Sequence, residues 1–218
     1  MDLIQALAAE LGKDPRHVEN VVHLLDEGNT IPFIARYRKE LHGAMDDTSL
    51  RTLEERLQYL RGLEERREAV KKSIDEQGKL TDELAAAIDS AKTLAEVEDL
   101  YRPYKQKRRT RATMAKEKGL EPLAALLFAQ ERDCPRPEEA ARAFVDPEKG
   151  VETVEDALQG ASDIIAEQIS DDASIRKSLR ALIFRQGQLV SRAATEDDSV
   201  YRLYYDFTQS VARLQGHQ

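Results

Sequence analysis

The 218-residue sequence contains one cysteine, Cys134, no tryptophan, and aromatic residues at only 6% of its positions. A single cysteine excludes an internal disulfide framework and is typical of proteins from a reducing cytoplasm, where we expect this one. No apolar run approaches the roughly 20 residues that a membrane-spanning helix needs. The amino terminus also lacks the basic leader of a signal peptide. We therefore expect no membrane partner.

Motifs for catalysis and for cofactor binding are also missing from the sequence. The chain has neither the GxxxxGK[ST] nor the GxGxxG pattern that cradles phosphates. Its four histidines lack the paired spacing of zinc ligands. Three pairs of adjacent acids, at 46–47, 171–172 and 197–198, are typical of helix caps and turns. We predict no enzymatic activity, and therefore no catalytic residues, no metal and no cofactor.

Charge and helical periodicity are what the sequence has in abundance. Charged residues make up 34% of the chain and apolar residues 41%. The apolar residues recur at helical spacing over most of the sequence. This pattern predicts an all-α, multi-helical fold with one long central helix and minimal β structure. The only strand signal is a weak one, at 188–193.

The longest predicted helix runs from about residue 49 to residue 77, with capping side chains available at 46–48. Leucines follow the 3-4-3 spacing of a coiled-coil seam at positions 50, 53, 57 and 60. Glu64 and Arg67 then stand where the seam requires apolar residues. We therefore predict a tightly packed first half and a more exposed second half.

Two prolines among charged residues mark 131–138 as the predicted domain boundary. Residues 1–130 are predicted to form a helical domain that contains the long helix and a basic segment. Residues 131–195 are predicted to form a small helix-turn-helix-like unit. The tail, 196–218, is aromatic and apolar, so we expect it to pack back on the helical body or on domains outside this chain.

Residues 31–41, IPFIARYRKEL, mix apolar and basic side chains. We interpret this stretch as a buried helical turn whose cations extend outward to water. The residues expected to face the core are Ile31, Phe33, Ile34 and Tyr37. The alternative is a phosphate contact through the three basic residues, Arg36, Arg38 and Lys39.

Residues 101–118, the basic segment, dominate the charge distribution. Eight basic residues and one acid give the segment a charge of +7, and because the whole chain carries −8, the remainder carries −15. So much charge of one sign requires an anionic neighbour. That neighbour is one of the protein's own acidic helices, another protein, or a nucleic-acid backbone. The candidate nucleic-acid-binding residues are Lys105, Lys107, Arg108, Arg109 and Arg111.

Five stretches together resemble the bacterial Tex family of transcription accessory proteins. They are residues 31–41, 50–67, 76–81 (EQGKLT), 98–124 (EDLYRPYKQKRRTRATMAKEKGLEPLA) and 146–151 (DPEKGV). The resemblance implies the N-terminal helical region of a longer protein that is associated with transcription and binds nucleic acid. In that family the later domains include an RNase H-like domain, helix-hairpin-helix elements and an OB-fold RNA-binding module.

Two functional hypotheses follow from the basic segment and the resemblance. In the first, the chain is a scaffold region whose basic segment makes weak, non-specific, auxiliary contact with RNA or DNA. In the second, it is a protein–protein interaction module that docks on downstream domains of its parent protein or on the transcription machinery. The segment contains only two aromatic residues, Tyr101 and Tyr104, which gives little support to base stacking on aromatic rings.

Overall fold

The computed structural model describes residues 3–106, 109–195 and 197–216. Over these ranges the chain forms eleven α-helices and one two-stranded antiparallel sheet, which confirms the predicted all-α class. No helix in these ranges is long and apolar enough to cross a lipid bilayer. The chain divides into two compact units, one up to Val97 and the other from Glu98 onward.

The first unit contains five complete helices and the start of a sixth. They are α1 (Leu3–Leu11), α2 (Pro15–Asp26), α3 (Ile31–Tyr37), α4 (Asp47–Asp75), α5 (Asp82–Ser90) and α6 (Leu94–Tyr101). Side-chain caps begin several of them. Asp14 accepts the N–H of Arg16 at the start of α2, and Asp46 accepts the N–H of Ser49 at 2.7 Å at the start of α4. Local sequence therefore fixes where these helices start.

The 29-residue helix α4 is the element against which α1, α2, α3 and α5 pack. Its seam is buried from one end to the other at Leu50, Leu53, Leu57, Leu60, Leu63, Val70 and Ile74. The prediction of a more exposed second half is therefore wrong. The reason is Arg67, which is only 2% exposed and continues the seam. Its guanidinium donates to Glu64 at 2.6 Å and to the carbonyl of Ala91 at 2.5 Å, so its charge is buried with partners.

Helix α3 agrees only in part with the expected buried turn. Ile31 and Ile34 are buried, but Tyr37 is 56% exposed, so the prediction that it faces the core is wrong. The guanidinium of Arg38 lies over the ring of Phe33, with its carbon 5.2 Å from the ring centre. That cation is half-buried and is stabilised in part by an aromatic face.

The second unit continues from the end of α6 into five more helices and the sheet. These elements are α7 (Arg111–Glu117), α8 (Glu121–Ala129), α9 (Pro137–Arg142), α10 (Val154–Asp171), α11 (Ala173–Gln186), β1 (Gln188–Arg192) and β2 (Asp206–Ser210). The boundary predicted at 131–138 falls inside this unit, in the loop between α8 and α9.

Helix α10 is the centre of the second unit and packs against α7, α8 and α9. Their shared core is rich in small residues, among them Ala112, Ala124, Ala141, Ala157 and Ala161. Close approach of the helices is visible at Gly160, where an added Cβ would lie 2.3 Å from Cδ1 of Leu120. Small side chains therefore bring the basic segment, which contains α7, against the surface of α10.

The sheet pairs β1 with β2 in antiparallel register, from Gln188 opposite Ser210 to Arg192 opposite Asp206. Strand structure was predicted only at 188–193, so the second strand, in the tail, was missed. A strand needs a partner because its backbone N–H and C=O groups otherwise lack hydrogen bonds. The tail supplies that partner here.

Candidate nucleic-acid interface

The structure describes three of the five predicted contact residues, while Lys107 and Arg108 lie outside the described residues. Lys105 is exposed and follows a 3₁₀ turn at Arg102–Tyr104. The side chain of Arg109 is 69% exposed, and that of Arg111, the first residue of α7, is 80% exposed. In the second unit, the side chains of Lys105, Arg109 and Arg111 are therefore accessible to a binding partner.

Thr110, between the two arginines, fixes the backbone of the segment. Its hydroxyl oxygen accepts the N–H of Thr113 at 3.0 Å and thereby caps α7. The same hydroxyl donates to Glu167 of α10 at 3.1 Å. Further along, the ammonium of Lys118 donates to the carbonyl of Gly150 at 2.7 Å. The backbone from residue 109 to residue 118 is thus fixed to the rest of the second unit, while the side chains of Arg109 and Arg111 extend outward.

Three acids of α10 face the basic segment. Asp163, Glu167 and Asp171 are spaced four residues apart, which places them on one face of the helix, and we call them the α10 acids. Their partners in the segment are Arg111 at 4.0 Å, Thr110 at 3.1 Å and Arg102 at 2.9 Å, respectively. Part of the segment's positive charge is therefore balanced within its own unit, by one of the anionic neighbours expected from the sequence. The regular spacing of the acids was visible in the sequence, but their partners were not.

Two further ion pairs within or beside the segment are exposed. Arg109 lies 2.7 Å from Glu117, and Lys116 lies 3.4 Å from Glu121. Exposed pairs of this kind are weak in water and are screened by salt. Because these pairs are weak, Arg109 and Lys116 are able to exchange an internal carboxylate for an external phosphate.

Asp99, near the end of α6, is 5% exposed and joins α6 to α11. Its carboxylate accepts from Arg176 and from Arg180, both at 2.6 Å. Burial alone would raise the pKa of Asp99, but the hydrogen bonds and charges of the two arginines outweigh it and hold that pKa below its ordinary value. Sequence analysis missed this cluster because Arg176 and Arg180 lie 77 and 81 residues from Asp99 along the chain.

Potential metal ligands show no such clustering in the part of the chain that the structure describes. In the described ranges, no three His, Cys, Asp or Glu side chains come together in a group that fits a metal ion. A groove of about 580 Å³ in the first unit is lined by Leu3, Leu60, Leu63 and several charged residues. Three of those are Glu64, Glu65 and Glu68, whose charge disfavours a phosphate ligand.

Two parts of the chain match described protein families. Residues 1–75 match the Tex-like protein N-terminal domain, and residues 133–218 match the Tex central region-like family. The Bacillus subtilis protein YdcI is 46% identical over 220 residues, which cover 99% of this chain and 30% of YdcI. The transcriptional accessory protein Tex of Neisseria gonorrhoeae is 42% identical over 223 residues, covering 100% of this chain and 29% of that protein.

A more distant similarity extends to a human protein. S1 RNA-binding domain-containing protein 1 is 29% identical over 228 residues, which cover 100% of this chain and 22% of the human protein. The chain therefore spans less than a third of the length of each of these relatives.

Proposed function

Because the chain belongs to the Tex-like family of transcription accessory proteins, we propose that it is a scaffold region that makes weak, sequence-independent contact with nucleic acid through its basic segment. The contact residues of this proposal are Lys105, Lys107, Arg108, Arg109 and Arg111. The observation that carries the proposal is the exposure of Arg109 and Arg111 on either side of an anchored Thr110.

An anchored backbone favours binding because little chain entropy is lost when a ligand arrives. Arg109 and Arg111 keep their side chains in water, where a phosphate reaches them without rearrangement of the helices. The α10 acids and the negative charge of the rest of the chain oppose a polyanion. We therefore expect an affinity in the non-specific range, about 10⁻⁴–10⁻⁶ M. The human relative is named for an RNA-binding domain, so RNA is included beside DNA among the ligands to be tested.

A second candidate function is that of a protein-interaction and structural module. It is favoured by the α10 acids, whose contacts with Arg102, Thr110 and Arg111 make the basic segment an internal structural element. Its partners would be other domains of a Tex-like protein or the transcription machinery.

Titration of the chain with single-stranded and double-stranded nucleic acid at several salt concentrations tests the first candidate. Three phosphates neutralised on a duplex predict a slope of log affinity against log salt of about −3, since each contributes about −0.9. The Arg109→Glu/Arg111→Glu variant should bind more weakly and with a flatter slope. Its matched control is Arg132→Glu/Arg136→Glu, which makes the same charge change at exposed positions of the α8–α9 loop.

Equal losses in the two variants would contradict a specific role for the basic segment. If the unchanged chain fails to bind, and Arg109→Glu/Arg111→Glu lowers thermal stability more than the control does, the second candidate is correct instead.

A further inference from the structure

Helix α11 carries apolar residues that the second unit leaves exposed. Leu179, Leu182, Ile183 and Phe184 are 50%, 40%, 56% and 59% exposed. From residue 177 to residue 186, every residue of the helix is exposed. At 100° per residue, Leu182 and Phe184 point to nearly opposite sides of the helix. A helix with apolar residues on several sides is typical of one surrounded by protein.

The adjoining hairpin extends this apolar surface. Leu189 and Val190 of β1 are 43% and 52% exposed and point to opposite faces of the sheet. The hairpin is joined directly to α11, because the N–H of Val211 donates to the carbonyl of Gly187 at 3.0 Å. A two-stranded hairpin is only marginally stable without a packing partner. We call the exposed apolar residues of the helix and of β1 the α11 surface; they are Leu179, Leu182, Ile183, Phe184, Leu189 and Val190.

The exposure of the α11 surface is not the result of a frayed helix. Asp172 caps α11 by accepting the N–H of Ile175 at 2.8 Å. Asp99 holds the first half of the helix through Arg176 and Arg180. The helix is therefore ordered by caps and ion pairs, while its apolar residues contribute little to its own unit. Large apolar side chains left exposed on an ordered element in this way mark an interaction site.

Charge disfavours a second copy of the chain as the occupant of this surface. Helix α11 contains four basic residues and no acid. Packing two copies through α11 would bring these like charges together. The occupant needs apolar area for the leucines and acidic groups for Arg185 at the rim.

The lengths of the relatives point to that occupant. The chain contains an N-terminal domain and a central region, and its alignments cover only 30% of YdcI and 29% of the gonococcal Tex protein. We propose that the α11 surface is the docking site for the remainder of a Tex-like polypeptide, the part outside the region that aligns with this chain. This inference deepens the second candidate function by naming its surface and its partner.

Site-specific photo-cross-linking in full-length YdcI tests the inference. A photoreactive residue is placed at the position aligned with Phe184, and the cross-linked peptides are identified by mass spectrometry. We expect concentration-independent cross-links within one molecule, to residues outside the region that this chain matches. The matched control is the position aligned with Phe128 of α8, which is similarly exposed at 51%. Cross-links to a second copy, or a yield no higher than at the control position, would overturn the proposal.

Two measurements on the present chain complete the test. Amide hydrogens of α11 should exchange at least about tenfold faster here than in the aligned helix of full-length YdcI, because the covering part is present only there. The Leu182→Asp/Phe184→Asp variant of this chain should keep its thermal midpoint. Equal exchange rates, or unfolding of the variant, would show that the surface belongs to the unit's own core. Neither result depends on nucleic-acid binding, so the two proposals fail separately.

Discussion

Replacing Glu64 by alanine tests whether the buried Arg67 depends on it. Glu64 lies in the half of the long helix that the sequence predicts to be more exposed, where truncation costs less than about 0.5 kcal/mol. In the structure Glu64 is 49% exposed, but it pairs at 2.6 Å with a guanidinium whose side chain is 2% exposed. With Glu64 in place, the guanidinium is shielded from water. Because removing one partner leaves a buried charge with fewer hydrogen bonds, we expect Glu64→Ala to cost about 1–3 kcal/mol.

A double-mutant cycle with Arg67→Met isolates this interaction. Methionine retains most of the apolar stem but removes the charge, so Glu64 becomes an ordinary exposed residue. In the Arg67→Met background, Glu64→Ala should cost less than about 0.5 kcal/mol. The expected coupling free energy between the two residues is therefore about 1–2 kcal/mol.

Urea unfolding followed by far-UV circular dichroism measures all four proteins of the cycle. Hydrogen exchange then tests whether the loss of protection is centred on α4 and α5, which Arg67 joins through the carbonyl of Ala91. An exposed ion pair of similar geometry, Arg51 with Asp47 at 2.7 Å on the same helix, provides the control cycle. A coupling for Glu64 and Arg67 no larger than that of the control would refute the idea that burial strengthens the pair.

Three further predictions concern packing and pH. Leu53→Ala and Leu57→Ala should each lower the free energy of unfolding by about 2–5 kcal/mol, since both side chains are buried in the α4 seam; urea midpoints that match wild type would contradict this. Gly160→Ala should lower it by about 1–3 kcal/mol by overpacking against Leu120, and an unchanged thermal midpoint would show that Leu120 moves aside. Asp99→Asn should cost about 1–3 kcal/mol at pH 7. The pKa of Asp99 is lowered in the folded state, so the difference in free energy of unfolding between wild type and Asp99→Asn is present above the unfolded pKa of about 4. This difference should vanish as the pH falls through the pKa of Asp99 in the folded state. Urea titrations of both proteins at pH 7 and at pH 3 or below measure it.

Helices and their starting points follow from the sequence because they depend on neighbouring residues. Asp14, Thr81 and Thr93 are residue types that favour helix starts, and each accepts a backbone N–H from two or three residues further along. The same locality explains why the all-α class was predicted correctly. The family was likewise recognisable from short stretches of sequence.

Features that depend on distant residues were decided only by the tertiary structure. Arg67 occupies a seam position that periodicity assigns to an apolar side chain, and the carbonyl of Ala91 that makes this possible lies 24 residues away. Strand β2 is defined by its pairing with β1, not by its own pattern. The division of the chain falls after Val97, within a continuous helical pattern, because contacts rather than composition define it.

The basic segment depends both on the local sequence and on contacts between distant residues. Its charge was determined by the sequence alone, and the roles of Lys105, Arg109 and Arg111 in nucleic-acid binding stay a prediction. The partners of that charge were decided by packing, since Asp171 lies 69 residues from Arg102 and Glu167 lies 57 residues from Thr110. Electrostatic pairing depends on distance in space, and only the small-residue contacts between α7 and α10 bring these groups together.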